Sequence, residues 1–190
     1  MTIALDLKPL VAWTDERFAA LCRANPDWNF ELTAEGELVV VAPVGRSSGR
    51  REVQTIGQLW DWDRDETKGE AFSSQTVFCL PNGAKRMPDA ACVSRERLDR
   101  LPPSQQDGYI HLAPDFAIEV RSPTDDLETL QAKMREYVEC GVRLSWLIDP
   151  QNKRVEIYRG DREVEVLEAA TQLSGEDVLP GFTFSTARLF

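Results

Sequence analysis

The sequence predicts one α/β domain organised around a mixed sheet, and three observations carry that expectation. Stretches of period-two alternation, the clearest within PDFAIEVRSPTDD from Pro114 to Asp126, are interleaved with stretches whose apolar residues recur at helical spacing. Turn signals rich in Gly, Pro, Asn and Asp fall between them. The 190 residues suit a single domain with a sizeable core, and no internal repeat or low-complexity linker divides them.

In chain order, Thr14 is placed to cap a helix in which Phe18, Leu21 and Cys22 share a face, ending near Asn25 and Pro26. FELTAEGELVVVAP, from Phe30 to Pro43, reads as two strands joined by a turn at Ala34 to Gly36. GRSSGR, from Gly45 to Arg50, reads as a connector, because it lacks the spacing of a phosphate-binding P-loop. A helix is expected from about Arg50 to Asp63, where Val53, Ile56, Leu59 and Trp60 recur at helical spacing. SQTVFCL, from Ser74 to Leu80, reads as a strand followed by a turn at Pro81 to Gly83, and a short strand begins near Asp89. Arg100 to Gly108 reads as a surface loop. After the Phe116 to Val120 strand, Pro123 stops the sheet. Thr124 or Asp125 then caps a helix whose Leu127, Leu130, Met134, Tyr137 and Val138 form an apolar stripe, and Gly141 ends it. Val142 to Asp149 is a further strand, and Arg154 to Glu168 a hairpin turning at Gly160 and Asp161.

Composition narrows the function classes. A hydrophobic content of 42% with 28% charged residues describes an ordinary soluble globular chain. No run of 18 apolar residues occurs, and residues 1 to 10 lack the basic start and long apolar middle of a signal peptide, so no membrane association and a cytoplasmic location are expected. Cys22, Cys79, Cys92 and Cys140 form no CxxC pair and read as reduced core residues. With His111 as the single histidine, a zinc site or a Ser-His-Asp triad would have to be built around one ring. The formal charge of -10 argues against indiscriminate binding of nucleic acid. It leaves room for a local basic groove, for which Arg46, Arg50 and Arg51, or Lys85 and Arg86, are candidates, although solvated surface charge is the plainer reading of any one of these clusters.

The chemistry is concentrated in two Pro-Asp pairs and one strand. Alternation puts Glu119 and Arg121 on the same face, roughly 6.5 to 7 Å apart along the strand. Asp89 opens another strand 30 residues earlier. If the two strands are neighbours, two carboxylates converge where oxygen ligands could hold Mg²⁺ or Mn²⁺. Such an ion polarises a phosphoryl oxygen while a nearby Lys or Arg stabilises developing charge, which suits phosphodiester hydrolysis. The plainer reading is a Glu119-Arg121 ion pair on a solvated strand face.

Pro88-Asp89 followed by Glu119-Val120-Arg121 resembles the PD-(D/E)xK nuclease superfamily, with Arg121 where the motif has lysine. The ordered succession of FELTAEGELVVVAP, MPDAACVS, PDFAIEVRSPTDD, KMREYVECGVRLSWLIDP and LPGFTF resembles the Uma-two (Uma2) family of restriction endonucleases over roughly Phe30 to Phe184. The resemblance implies a restriction-endonuclease-like core, a central mixed sheet flanked by helices, with the N-terminal helix and hairpin preceding it. It makes Asp89 and Glu119 metal ligands, offers Glu31 as a further one, and offers Lys133 as a migrated replacement for the missing lysine. Lys133 sits roughly 90° from the centre of the apolar stripe, so it either bends over the sheet toward Glu119 or reaches out to solvent. Arg121 stays charged and is a poor proton shuttle, yet it can clamp a phosphate. Glu52 is a weaker acidic candidate.

The leading expectation is therefore a Mg²⁺-dependent DNA endonuclease, a homodimer if both strands of a duplex are cut. The competing expectation is a nuclease-fold binding or assembly module in which the same residues form an ion-pair network. An acid-base hydrolase acting on a non-phosphate substrate has no further support in the sequence.

Overall fold

The computed structural model describes residues 3–8, 10–64, 68–105, 108–160 and 162–190. Its centre is a mixed sheet in which strand alternation and one strand-helix-strand crossover set the topology. β4 (Gly69–Ser73), β7 (Ala90–Ser94), β8 (Phe116–Val120), β9 (Leu144–Asp149), β10 (Arg154–Tyr158) and β11 (Glu165–Glu168) lie side by side in the order β11-β10-β9-β8-β7-β4. β8 and β9 pair in parallel, because α4 (Leu127–Glu139) carries the chain back between them, and the other neighbours in this sheet are antiparallel.

A second, antiparallel sheet joins β1 (Ile3–Asp6), β3 (Glu37–Val41), β2 (Asn29–Leu32), β6 (Lys85–Arg86) and β5 (Phe78–Cys79) in that order. α1 (Asp15–Ala24) packs Phe18 against it, in a cluster with Phe30, Leu32, Leu38 and Val77. α2 (Arg46–Trp62) and the small hairpin of β12 (Gln172–Ser174) and β13 (Thr183–Ser185) cover one face of the central sheet. There Phe116, Ile118 and Trp146 meet Leu59, Phe182 and Phe184. α4 covers the other face, where Ala117 and Leu147 meet Met134 and Tyr137. α3 (Arg95–Leu98) is a single turn after β7. None of the helices is long and apolar enough to cross a membrane among the described residues.

The expected α/β class with a mixed central sheet is present, with boundaries moved for local reasons. Thr14 caps α1 by accepting from the Arg17 N–H at 3.3 Å. GRSSGR is the first turn of α2 rather than a connector, because Gly45 takes the capping position and nothing through Ser47 and Ser48 breaks the helix. The cap of α4 is Asp126, whose Oδ1 accepts from Thr129 N at 2.8 Å; Asp125 instead accepts from Ser122 N at 2.9 Å and closes the preceding turn. Ser74 to Leu80 is only partly strand: a turn falls in its first half and pairing is confined to Phe78 and Cys79. The β10-β11 connection passes through Gly160, while the expected turn residue Asp161 lies outside the described residues. Ile3 to Asp6, Gly69 to Ser73 and the β12-β13 hairpin are strands that the sequence does not announce. β4 is the clearest case, since GEAFS has no β-branched residue and opens on glycine.

That glycine is required by close packing. A Cβ at Gly69 would lie 2.5 Å from the Val93 carbonyl oxygen and 3.1 Å from Cys92 Sγ, whereas a Cβ at exposed Gly57 in α2 would meet nothing within 4 Å. Gly69→Ala should therefore destabilise the fold by about 1–3 kcal/mol through overpacking, while Gly57→Ala should stabilise it by about 0.5–1 kcal/mol through helix propensity. Urea denaturation of the two variants checks the pair, and equal effects of one sign would contradict the packing.

Candidate active site

Antiparallel register brings the two motif carboxylates together. Ala90 pairs with Ile118 and Ala91 with Ala117, so the same register carried one residue further sets Asp89 against Glu119 on the face covered by α4. Asp89 is fixed there by its Oδ2, which accepts from Val120 N at 2.7 Å. In the second sheet Leu32 pairs with Lys85, and one residue on, Glu31 faces Arg86. Glu31 accepts from Arg86 Nη1 at 3.2 Å and from Met87 N at 2.9 Å.

α4 ties these strands together. Lys133, Glu136 and Tyr137 stand at i, i+3 and i+4, so they share one helix face. Lys133 Nζ lies 2.8 Å from both Glu119 Oε1 and Glu31 Oε1, the Tyr137 hydroxyl donates to Glu119 Oε1 at 2.7 Å, and Arg86 Nε donates to Glu136 Oε2 at 2.6 Å. Glu31 and Glu119 are only 4% and 5% exposed, which is tolerable only because each is hydrogen-bonded to a cation or a hydroxyl. Of the two paths open to Lys133, it takes the one over the sheet.

The Glu119-Arg121 ion pair does not form. Arg121, past the end of β8, donates from Nη1 to Asp149 Oδ2 at 2.8 Å and from Nε to the Asp125 carbonyl at 3.2 Å. Burial acts upward on the Asp149 carboxyl, but hydrogen bonds from Asn152 and Arg121 hold it below its ordinary value. Arg121 thus anchors the end of β9 and the turn before α4, and Lys133 is the cation on Glu119. Glu52 bonds to the Ser74 hydroxyl and lies near enough to Asp89 to act on its charge. Cys140, just past the end of α4, is close enough to Glu136 and Arg86 to feel their charges, while His111 faces Asp15 at 3.7 Å. Tyr137 and Glu136 are the members of the cluster that sequence reasoning does not assign to the site, and Arg86, a candidate there for a basic groove, is instead buried and paired with Glu31 and Glu136. For the two on α4, the i, i+3, i+4 spacing from Lys133 is the available signal.

Charge in the cluster is unbalanced. Glu31, Asp89, Glu119 and Glu136 are met by Lys133 and Arg86. Burial, then the Glu119 carboxylate, push Asp89 up to about 8. Burial also pushes Glu119 above its ordinary value, with Glu31 adding to it and Lys133 and Tyr137 opposing. For Glu31 burial acts upward too, but Lys133 and Arg86 outweigh it and hold the carboxyl low. Burial works against the charge on Lys133, yet Glu119 and Glu31 keep its pKa above that of an ordinary lysine. The shortfall of positive charge therefore falls on Asp89 and Glu119, the two groups that gain most from a proton or a cation.

The donor set fits a hard divalent ion. One oxygen of Asp89 and one of Glu119 are held by hydrogen bonds, and the other oxygen of each accepts none from the described residues. No three His, Cys, Asp or Glu side chains close on one point among the described residues. Mg²⁺ is commonly held by one or two carboxylates, with water and substrate phosphate completing its octahedron.

The raised pKa of Asp89 has a stability signature. A carboxyl that binds its proton more tightly when folded contributes stability that is full below the unfolded value near 4 and is lost as pH rises through about 8. In chelator, Asp89→Asn, which keeps an acceptor for Val120 N–H without the charge, should gain on the wild type as pH rises from 5 to 8 and level off above it. The gain should be on the order of 1 kcal/mol per pH unit within that window. Thermal melting across the range measures it, and a pH-independent difference would contradict the buried, unbalanced carboxylate.

The fold has a counterpart among solved structures, and the sequence matches a known family. The profile of the Uma2 family, described as "Putative restriction endonuclease", matches residues 15–187. A solved structure described as that of a "putative nuclease belonging to DUF820" from Anabaena variabilis superposes with a TM-score of 0.70 at 20% identity, covering 99% of this chain and 97% of that one. At that identity the likeness is one of fold. No curated protein matches the chain. The match over nearly the whole length, and the order of the motifs along it, establish that the chain belongs to the Uma2 family.

Proposed function

We propose that the protein is a divalent-metal-dependent endonuclease that hydrolyses phosphodiester bonds in DNA. The observation that carries this reading is the apposed pair Asp89 and Glu119, short of positive charge and flanked by the half-buried ammonium of Lys133. Asp89 and Glu119 would hold Mg²⁺ or Mn²⁺ through their free oxygens. When bound, the ion supplies Lewis-acid polarisation of a phosphoryl oxygen and a more acidic water.

The chain's own residues supply the rest. Lys133 presents a fixed positive charge beside Glu119, where it can stabilise the negative charge that develops on the phosphate. Glu31 and Tyr137 prevent that charge from swinging away: Glu31 grips the ammonium, and Tyr137 holds the carboxylate on which it rests. Arg86 and Met87 N–H fix Glu31 in turn. Glu31 thus acts in positioning Lys133, and Arg121 in holding the strand end. Cutting both strands of a duplex calls for two such sites, which a symmetric homodimer provides. The alternative, an inactive module held by the same ion pairs, predicts no turnover at all.

Supercoiled plasmid incubated with Mg²⁺ or Mn²⁺ tests the proposal. The wild type should nick or linearise it, and Glu119→Gln, nearly the same in shape, should abolish cleavage while melting cooperatively. Lys133→Met should lower the single-turnover rate on the order of 10²-fold or more. It also takes the ammonium from two buried carboxylates, so it should cost about 3–5 kcal/mol of stability. Arg121→Met should cost about 1–3 kcal/mol through loss of the charged hydrogen bond to Asp149, which keeps its bonds from Gln151 and Asn152, and leave the rate within a few-fold. Undiminished cleavage by Glu119→Gln would sink the assignment, and the reverse ranking of the two cations would move the catalytic charge to Arg121.

A further inference from the structure

The start of α2 carries a feature that the candidate active site does not use. Arg46, Arg50, Arg51 and Arg188 line one hollow of about 490 Å³ together with Ser47. Arg46, Arg50 and Arg188 are exposed. Arg51 donates from Nε to the Leu189 carbonyl at 3.0 Å, and Arg188 from Nη1 to Gln54 Oε1 at 3.4 Å. None of the four is paired with a carboxylate among the described residues, in a chain of net charge -10 whose buried Arg86 is doubly paired. The helix they sit on runs for 17 residues, has Gly45 at its N-cap with no side-chain capping bond, and has no acidic residue in its first turn. Its positive end is thus left uncompensated and is reinforced by arginines where acidic residues would ordinarily stabilise it.

The helix that carries the hollow also reaches the end of the sheet at which the carboxylate pair lies. Ser48 Oγ lies 3.0 Å from Ser122 Oγ, just beyond the end of β8. Glu52, next to Arg51, is close enough to Asp89 to act on its charge. We propose that this arginine-lined hollow is a docking site for nucleic-acid backbone, seating phosphates of the strand that flank the one presented to Asp89 and Glu119. Guanidinium groups suit it because they form paired hydrogen bonds to phosphate oxygens without titrating, and an uncapped helix end offers free backbone N–H groups to the same anion. The inference rests on the nucleic-acid part of the proposed function and adds to it where the substrate is held.

Fluorescence anisotropy with a labelled duplex, in Ca²⁺ across a salt series, tests it. The Arg46→Gln/Arg50→Gln double variant should bind about tenfold or more weakly, and its slope of log affinity against log salt should be shallower by about two, or roughly 0.9 for each phosphate it no longer neutralises. Its melting temperature should be unchanged, because both side chains are exposed. Arg46→Lys/Arg50→Lys should keep the wild-type slope, since each lysine still neutralises a phosphate. If the wild type binds and the double Gln variant matches it in affinity and slope, the docking site is overturned while the nuclease reading stands. If the Gln variant shows the predicted weakening but the wild type cuts no DNA with Mg²⁺ or Mn²⁺, the docking site stands and the catalytic reading falls. A wild type that binds no nucleic acid overturns both.

Discussion

The ammonium of Lys133, shared between Glu31 and Glu119, is the interaction on which the rest of the site depends. It joins α4, the central sheet through β8 and the second sheet through β2, at two distances of 2.8 Å. A buried ion pair of this kind adds little net stability, because removing three charged groups from water costs about as much as their attraction returns. Its effect is positional. Glu119 can be buried and ionised only where Lys133 reaches it, and Lys133 is held over the sheet because Glu31 opposes it there. Without the ammonium, Glu119 would keep only the Tyr137 hydroxyl as a hydrogen-bond donor among the described residues.

This arrangement also explains why Asp89 differs from its neighbours. Glu31 has Lys133 and Arg86 and Glu136 has Arg86, so both carboxylates are neutralised by protein cations. Asp89 has the Val120 N–H and faces Glu119, with no cation in direct contact among the described residues. Its raised pKa follows from that position. Paired cations therefore define the rim of the site, and the deficit of positive charge lies at its centre, between two strands whose register places the carboxylates opposite each other. The arginines at the start of α2 lie outside this balance, unpaired with any carboxylate among the described residues, on the helix that also carries Glu52.

Much of this is legible in the sequence, for identifiable reasons. Alternation through Phe116 to Val120 makes Glu119 a strand residue facing away from Phe116 and Ile118, and the stripe of α4 fixes which helix face meets the sheet. The Pro-Asp pair places Asp89 at a strand entry. Pairing partners are less legible, because they depend on register between segments far apart in the chain. Arg121 lies two residues from Glu119 and yet finds Asp149, since the parallel pairing of β8 with β9 sets those two strand ends side by side. Glu31 reads equally as a solvated strand residue, because nothing near it in the sequence shows that Arg86 and Lys133 fold over it from 55 and 102 residues away. Tyr137 reads as part of the apolar stripe, where its ring belongs, although its hydroxyl serves the carboxylate. β4 is invisible because its glycine, which local propensity counts against a strand, is there for close approach to β7.

The central claim is that Asp89 and Glu119 together hold a divalent ion, and calorimetric titration of the metal-free protein with Mn²⁺ in two buffers of different ionisation enthalpy tests it most directly. The account predicts one site per chain, with proton release at pH 7 because Asp89 is protonated until the ion displaces its proton, and loss of the site in Asp89→Asn. A flat trace for the wild type, or binding that survives Asp89→Asn with the same affinity and the same proton count, would contradict it.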